Sequence, residues 1–126
     1  MFLRKAFAIG VLIATGVFCA YAADITGKWT AEFDTQVGLQ KYVYEFEAEG
    51  ATLTGKALAN IAGEESNSTI RDGKITGDEI SFVEMQMYQG QEVRIVYKGT
   101  VSGDEIKFTR RVADMIDEEF VAKRAK

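Results

Sequence analysis

KITGDEISFVEMQMYQGQEVRIVYKGTVSGDEIKFTRRV, residues 74–112, decides how this chain folds. Within it, ITGDEISF (75–82) and VSGDEIKF (101–108) match almost residue for residue. Each sets Gly-Asp between two short runs in which apolar and polar residues alternate. Alternation with period two marks a half-buried strand. Glycine between such runs supplies the positive φ that a tight hairpin requires. Two copies are one hairpin design used twice, too few for a stacked repeat array. LTGKALA (53–59) reads as a looser third relative.

The same period runs outward in both directions. Trp29, Ala31 and Phe33 alternate with polar neighbours, and Tyr42, Tyr44, Phe46 and Ala48 alternate with Val43, Glu45 and Glu47. Val93, Ile95 and Tyr97 follow the pattern, then Ile106, Phe108, Arg110 and Val112, then Phe120 and Ala122. Glu49-Gly50, Asp72-Gly73 and Gly90 supply further turns. The spacing predicts strands at 27–34, 41–48, 52–59, 66–71, 74–76, 80–88, 92–101, 105–112 and 118–124, with the fourth and fifth readable as one interrupted strand. No stretch has the period of an amphipathic helix, and no linker divides the chain. Short loops between successive strands imply an antiparallel meander. About eight strands with one apolar face each hide their edges by closing on themselves. The expected fold is all-β, a single-domain antiparallel up-and-down barrel spanning 23–126.

Residues 1–22 read as a secretory signal peptide. Arg4 and Lys5 form a basic start, Ala6 to Phe18 an apolar run, and Ala20-Tyr21-Ala22 a cleavage site. Cys19 leaves with the signal on this reading; lipidation at Cys19 is the alternative, disfavoured by the bulky Phe18 before it. The expected location is secreted or periplasmic. The whole chain carries a formal charge of −4, and loss of Arg4 and Lys5 makes the exported part more acidic. That balance argues against nucleic acid and anionic membrane as partners. It suits a monomer kept apart by self-repulsion.

Composition closes several chemical routes. The chain has no histidine and no proline, and its one cysteine lies in the signal. Zinc, iron and copper sites lack their usual ligands, so neither metal nor cofactor is expected. Ser81 and Ser102 have no histidine to activate them. Glu84 with Glu45 or Glu92 is a conceivable carboxylate pair, but no spacing supports it. Glu64-Glu65 and Asp117-Glu118-Glu119 read as solvated loops. The expectation is a protein that is not an enzyme.

Inward aromatics are then the candidate site. Phe33, Tyr42, Tyr44, Phe46, Phe82, Tyr88 and Tyr97 either line a pocket or fill the interior, since an eight-stranded barrel is near the size that side chains alone can fill. Residues 80–88 leave their facing open. With Ile80, Phe82, Glu84, Gln86 and Tyr88 inward, Glu84 and Gln86 become buried polar groups able to orient a ligand. With the other parity inward, Met85 and Met87 become core. A bulge between Phe82 and Val83 buries the most apolar area and is the favoured reading. The expected function is non-catalytic binding of a small apolar or amphipathic molecule inside the barrel, lined by Phe33, Tyr42, Tyr44, Phe46, Tyr88 and Tyr97 with Glu84 or Gln86 as its polar point. The alternative is a filled barrel acting as an extracellular protein-interaction or accessory module.

Gly27-Lys28-Trp29 opens the first strand, and Arg110 sits between Phe108 and Val112 on a core face near the other end. A buried arginine needs a stacking surface and acceptors. In a closed barrel the first and last strands are neighbours. On these residues the chain resembles the calycin superfamily, the lipocalins and related small barrels. The resemblance implies that an arginine from a late strand packs across Trp29 and closes one barrel end. Arg110 is assigned that role by parity, with Arg111 as the alternative. The resemblance also implies small apolar ligands.

Overall fold

A computed structural model of the chain describes residues 25–125. The segment read as an export signal, 1–22, lies outside the described residues. Eight strands follow one another: β1 (Gly27–Thr35), β2 (Gly38–Glu49), β3 (Thr52–Ile61), β4 (Glu64–Thr76), β5 (Glu79–Tyr88), β6 (Gln91–Ser102), β7 (Glu105–Val112) and β8 (Ile116–Arg124). Each pairs antiparallel with the next, and β1 pairs with β8, so the sheet is a closed up-and-down barrel. Closure removes the free edges that an open meander of this length would leave.

The repeated hairpin has a structural meaning. Gly77 and Gly103 turn the chain at φ +63° and +61°. The carbonyl after each, on Asp78 and Asp104, accepts a bond from the strand beyond the hairpin: Val101 N–H donates to Asp78 at 2.7 Å and Arg124 N–H to Asp104 at 2.9 Å. The third copy is Gly50-Ala51-Thr52-Leu53, where Ile75 N–H donates to the Ala51 carbonyl at 2.9 Å. LTGKALA was expected to fill that role. Its Gly55 is instead a mid-strand close approach, where an added Cβ would stand 1.9 Å from the Glu45 carbonyl oxygen.

The expected bulge in residues 80–88 is absent. β5 pairs with β6 without interruption from Glu79↔Thr100 to Tyr88↔Gln91. Ile80, Phe82, Glu84 and Gln86 therefore all point inward, while Met87 stays exposed. The irregularity belongs to β4, whose pairing with β5 shifts between Arg71 and Lys74. There Asp72 takes φ +53° and Gly73 presses on the Leu53 carbonyl. An extra residue at that point bends the strand without ending it. Segments 66–71 and 74–76 are thus one interrupted strand.

The two barrel ends differ. Turns at 50–51, 77–78 and 103–104 surround one end, which Trp29, Ile25, Leu53, Ile80 and Ile106 seal with fully or almost fully buried side chains. The Trp29 indole N–H donates to the Ile25 carbonyl at 2.9 Å. Turns at 36–37, 62–63, 89–90 and 113–115 surround the other end, called here the open end. Its inner side chains Phe33, Tyr88, Val93 and Val112 are only partly buried.

Candidate functional site

Alternation along the strands aims a set of polar side chains into the barrel between these ends. Tyr42 and Tyr44 come from β2, Glu84 and Gln86 from β5, Tyr97 from β6 and Arg110 from β7. Glu84 is fully buried, and three hydroxyls donate to its carboxyl: Tyr97 at 2.7 Å, Tyr42 at 3.0 Å and Ser68 at 3.1 Å. Arg110 donates to the same two phenol oxygens, Tyr97 at 2.9 Å and Tyr42 at 3.1 Å. The two phenols thus stand between guanidinium and carboxyl, accepting from one and donating to the other. The Gln86 amide N–H donates to the Tyr42 oxygen. Tyr44 and Tyr97 share a hydroxyl contact of 2.9 Å.

Arg110 is satisfied on its remaining sides. Its Nε–H donates to Glu118 at 2.8 Å and an Nη2–H to the Gln40 amide oxygen at 3.0 Å. Its guanidinium carbon lies 4.8 Å from the centre of the Phe33 ring and 5.3 Å from that of Tyr42. A charge buried to this degree is tolerated only with such partners.

Burial shapes the acid–base behaviour. It pushes the Glu84 carboxyl above the usual carboxylate range, against the pull of Tyr97, Arg110, Tyr42 and Ser68. Burial first, and the Glu84 charge after it, pushes the Tyr42 and Tyr97 phenols well up, so both remain donors at any ordinary pH.

The sealed end corrects the expected arginine. The guanidinium over Trp29 belongs to Arg124, 4.4 Å from the ring centre, and not to Arg110. Arg124 pairs with Trp29 in the β1–β8 register and donates to the Thr26 carbonyl at 3.3 Å and to Asp104 at 3.0 Å. Arg111, the other candidate, is exposed and ion-paired with Asp117 at 3.2 Å. Parity gave Arg110 its inward direction, but its depth follows from the register, which opposes it to Tyr97 and Glu118.

Of the residues expected to line a pocket, Tyr42 and Glu84 are buried in the network with Arg110, and the rest divide into two groups. Tyr44, Phe46, Phe82 and Tyr97 are packed together, with ring centres from 4.3 Å (Phe82–Tyr97) to 6.2 Å (Tyr44–Phe82), and fill the middle of the barrel. Phe108 from β7 completes that cluster, and Phe120 from β8 stacks on Phe33 with ring centres 4.1 Å apart. Phe33, Gln86 and Tyr88 instead face the open end. Sequence reasoning missed two polar residues there, Gln40 and Ser66, and read a third, Glu118, as part of a solvated loop, whereas it lies on β8 and pairs with the buried Arg110 at 2.8 Å. Gln40 and Ser66 carry the inward parity of β2 and β4. Ser66 is 5% exposed and its Oγ has no hydrogen-bond partner. Such an orphan is unusual, since a buried hydroxyl normally finds one.

No family model, curated protein or solved structure matches the chain. The eight-stranded antiparallel closed barrel is consistent with a calycin-like fold.

Proposed function

We propose that this protein binds a small amphipathic molecule at the open end of its barrel, without catalysing its conversion, and does so as an exported protein. The carrying observation is the orphan Ser66 hydroxyl, buried on the inward face of β4 at the end where Phe33, Tyr88, Val93 and Val112 are left half-covered. A site of this kind combines apolar walls for affinity with a few fixed polar groups for orientation. The aromatic cluster beneath forms a solid floor, so the ligand sits in the mouth and not in a deep lumen. The Arg110–phenol–Glu84 network holds that floor rigid, since each of its groups is tied to at least two others. On this reading the likeness to calycins extends from barrel and Trp29–Arg124 seal to ligand binding at the end opposite the seal.

The test is native mass spectrometry of the protein purified from its exporting host without detergent, beside a Tyr88→Ala variant. A bound mass lost on denaturation and reduced in Tyr88→Ala supports the reading. A bound mass unchanged in Tyr88→Ala, or none recovered after incubation with host extract, contradicts it.

A second reading has its own observation. Val37, Leu39, Met87 and Met115 are exposed apolar side chains on the strands and turns of the same end, with Met115 at 74%. Clustered exposed apolar groups favour contact with another macromolecule. A filled barrel that presents this rim to a protein partner is the alternative function.

A further inference from the structure

We propose that the ligand of the open end carries a cationic head group, an alkylammonium or similar amine on an apolar body. This deepens the mouth-binding reading and rests on it. Four loops surround the mouth, and each bears or adjoins a carboxylate: Asp34 before the first turn, Glu64 after the second, Glu92 after the third and Asp114 in the fourth. None of the four carries a lysine. Two arginines adjoin the fourth: Arg111 is ion-paired with Asp117 at 3.2 Å, and Arg94, whose carbonyl accepts from the Ala113 N–H, is exposed on the same outward face of β6 as Glu92. Arg110, the cation inside the mouth, is held by Glu118, Gln40 and two phenols. An incoming anion finds no cation inside the mouth without its own partners, whereas an incoming cation meets the field of the loops.

Ser66 supplies a hydrogen-bonding group from inside, and the loop carboxylates set the sign of charge it meets. Its Oγ has a lone pair with no donor, and it lies two residues inward of Glu64 on β4. The Gln89 N–H donates to the Glu64 carboxylate at 3.3 Å, which holds the start of β4 beside the end of β5, where Tyr88 sits. One side of the mouth therefore offers an ammonium an acceptor hydroxyl, a carboxylate at the rim and the half-covered face of a tyrosine. Aromatic faces attract cations electrostatically. Arg110 lies on β7, outside this β4–β5 corner, and its guanidinium stands over Phe33.

The experiment is an amide-resolved NMR titration of the folded protein with three probes of equal chain length: octylammonium, octanol and octanoate. The expected result is saturable shifts around Ser66 and Tyr88 with octylammonium, at least about five-fold tighter than with octanol, the gain one or two exposed charge contacts provide. Octanoate is expected weaker still. Raising salt from about 0.01 M to about 1 M removes the advantage over octanol, since it shrinks the reach of surface charge. The double variant Glu64→Gln, Glu92→Gln should lose the same advantage while octanol binding stays. Octanoate binding at the mouth as tightly as octylammonium overturns the cationic head group and leaves the mouth reading standing. No shift at the mouth with any probe, or shifts only elsewhere, overturns both.

Discussion

Trp29 and Arg124 face each other across the seam where the barrel closes, with the guanidinium carbon 4.4 Å above the indole centre. The contact joins the first strand to the last. Its backbone counterpart is short, because β1 and β8 share a register only at Trp29↔Arg124 and Thr30↔Lys123. Side chains therefore carry much of the closure: this pair at the sealed end, and the Phe33–Phe120 stack toward the open one.

Replacing Trp29 by alanine should destabilise the fold by about 3–5 kcal/mol, the range for removing a large buried aromatic. Arg124→Ala should lose about 1–2 kcal/mol, from one cation–π contact and its hydrogen bonds. Chemical denaturation measures both. Equal, near-zero losses would mean that the seam closes without this pair.

Arg110→Met should be the more damaging arginine change, about 3–5 kcal/mol, because it strands Glu118 and unbalances Glu84 and its phenols. Adding Glu84→Gln should recover part of that loss, since the two charges are coupled through Tyr42 and Tyr97. A double-mutant cycle in denaturant gives the coupling; strict additivity would argue against a shared network.

Stability should depend on Glu84 in an uncommon direction. Burial raises its folded value above the ordinary 4.5, so the folded state binds a proton more tightly than the unfolded one. The stabilisation from this group is then fully present below 4.5 and is lost as pH rises through the folded value. Comparing wild type with Glu84→Gln isolates it from the surface carboxylates. The wild-type stability should fall relative to the variant as pH rises from below 4.5. Wild-type stability that rises relative to the variant with pH would reverse the assignment.

Two glycines should fail for different reasons. Gly103 turns at φ +61° with nothing within 4 Å of an added Cβ, so only the backbone resists substitution. Gly103→Asn should be nearly neutral and Gly103→Val should lose about 1–2 kcal/mol. Gly99 faces inward, and an added Cβ would stand 2.7 Å from the Phe108 ring. Both Gly99→Asn and Gly99→Val should lose about 1–3 kcal/mol or more by overpacking. Thermal melts of the four variants distinguish the two mechanisms.

Much of this fold was legible in the sequence. Period-two alternation located the strands, and the Gly-Asp hairpins located the turns at the sealed end. What failed was register and depth. Arg110 and Arg124 share an inward parity with their neighbours, and Phe120, Ala122 and Arg124 form as clear a series as Phe108 and Arg110. The β1–β8 register sets Arg124 opposite Trp29, while the pairing of β7 with β6 and β8 holds Arg110 deeper in the barrel. The bulge was misplaced because counting apolar area favours burying Val83 and Met85. Glu84 takes the inward face instead, and three hydroxyl donors make that tolerable. Those partners come from β2, β4 and β6, so no local window of sequence contains them. Ser66 was overlooked because it opens the 66–71 segment among polar neighbours, where no apolar alternation shows which face is inward.

The most direct test of the central claim, a ligand site at the open end over a filled floor, is an amide shift map of the labelled protein titrated with an extract of its host cells. The account predicts saturable changes confined to the ends of β1, β3, β5 and β7, the starts of β2, β4, β6 and β8, and the turns between them, with Ser66 and Tyr88 among the largest. Changes centred on Trp29 and Arg124, or spread through Tyr44, Phe82 and Phe108 in the packed middle, would contradict it.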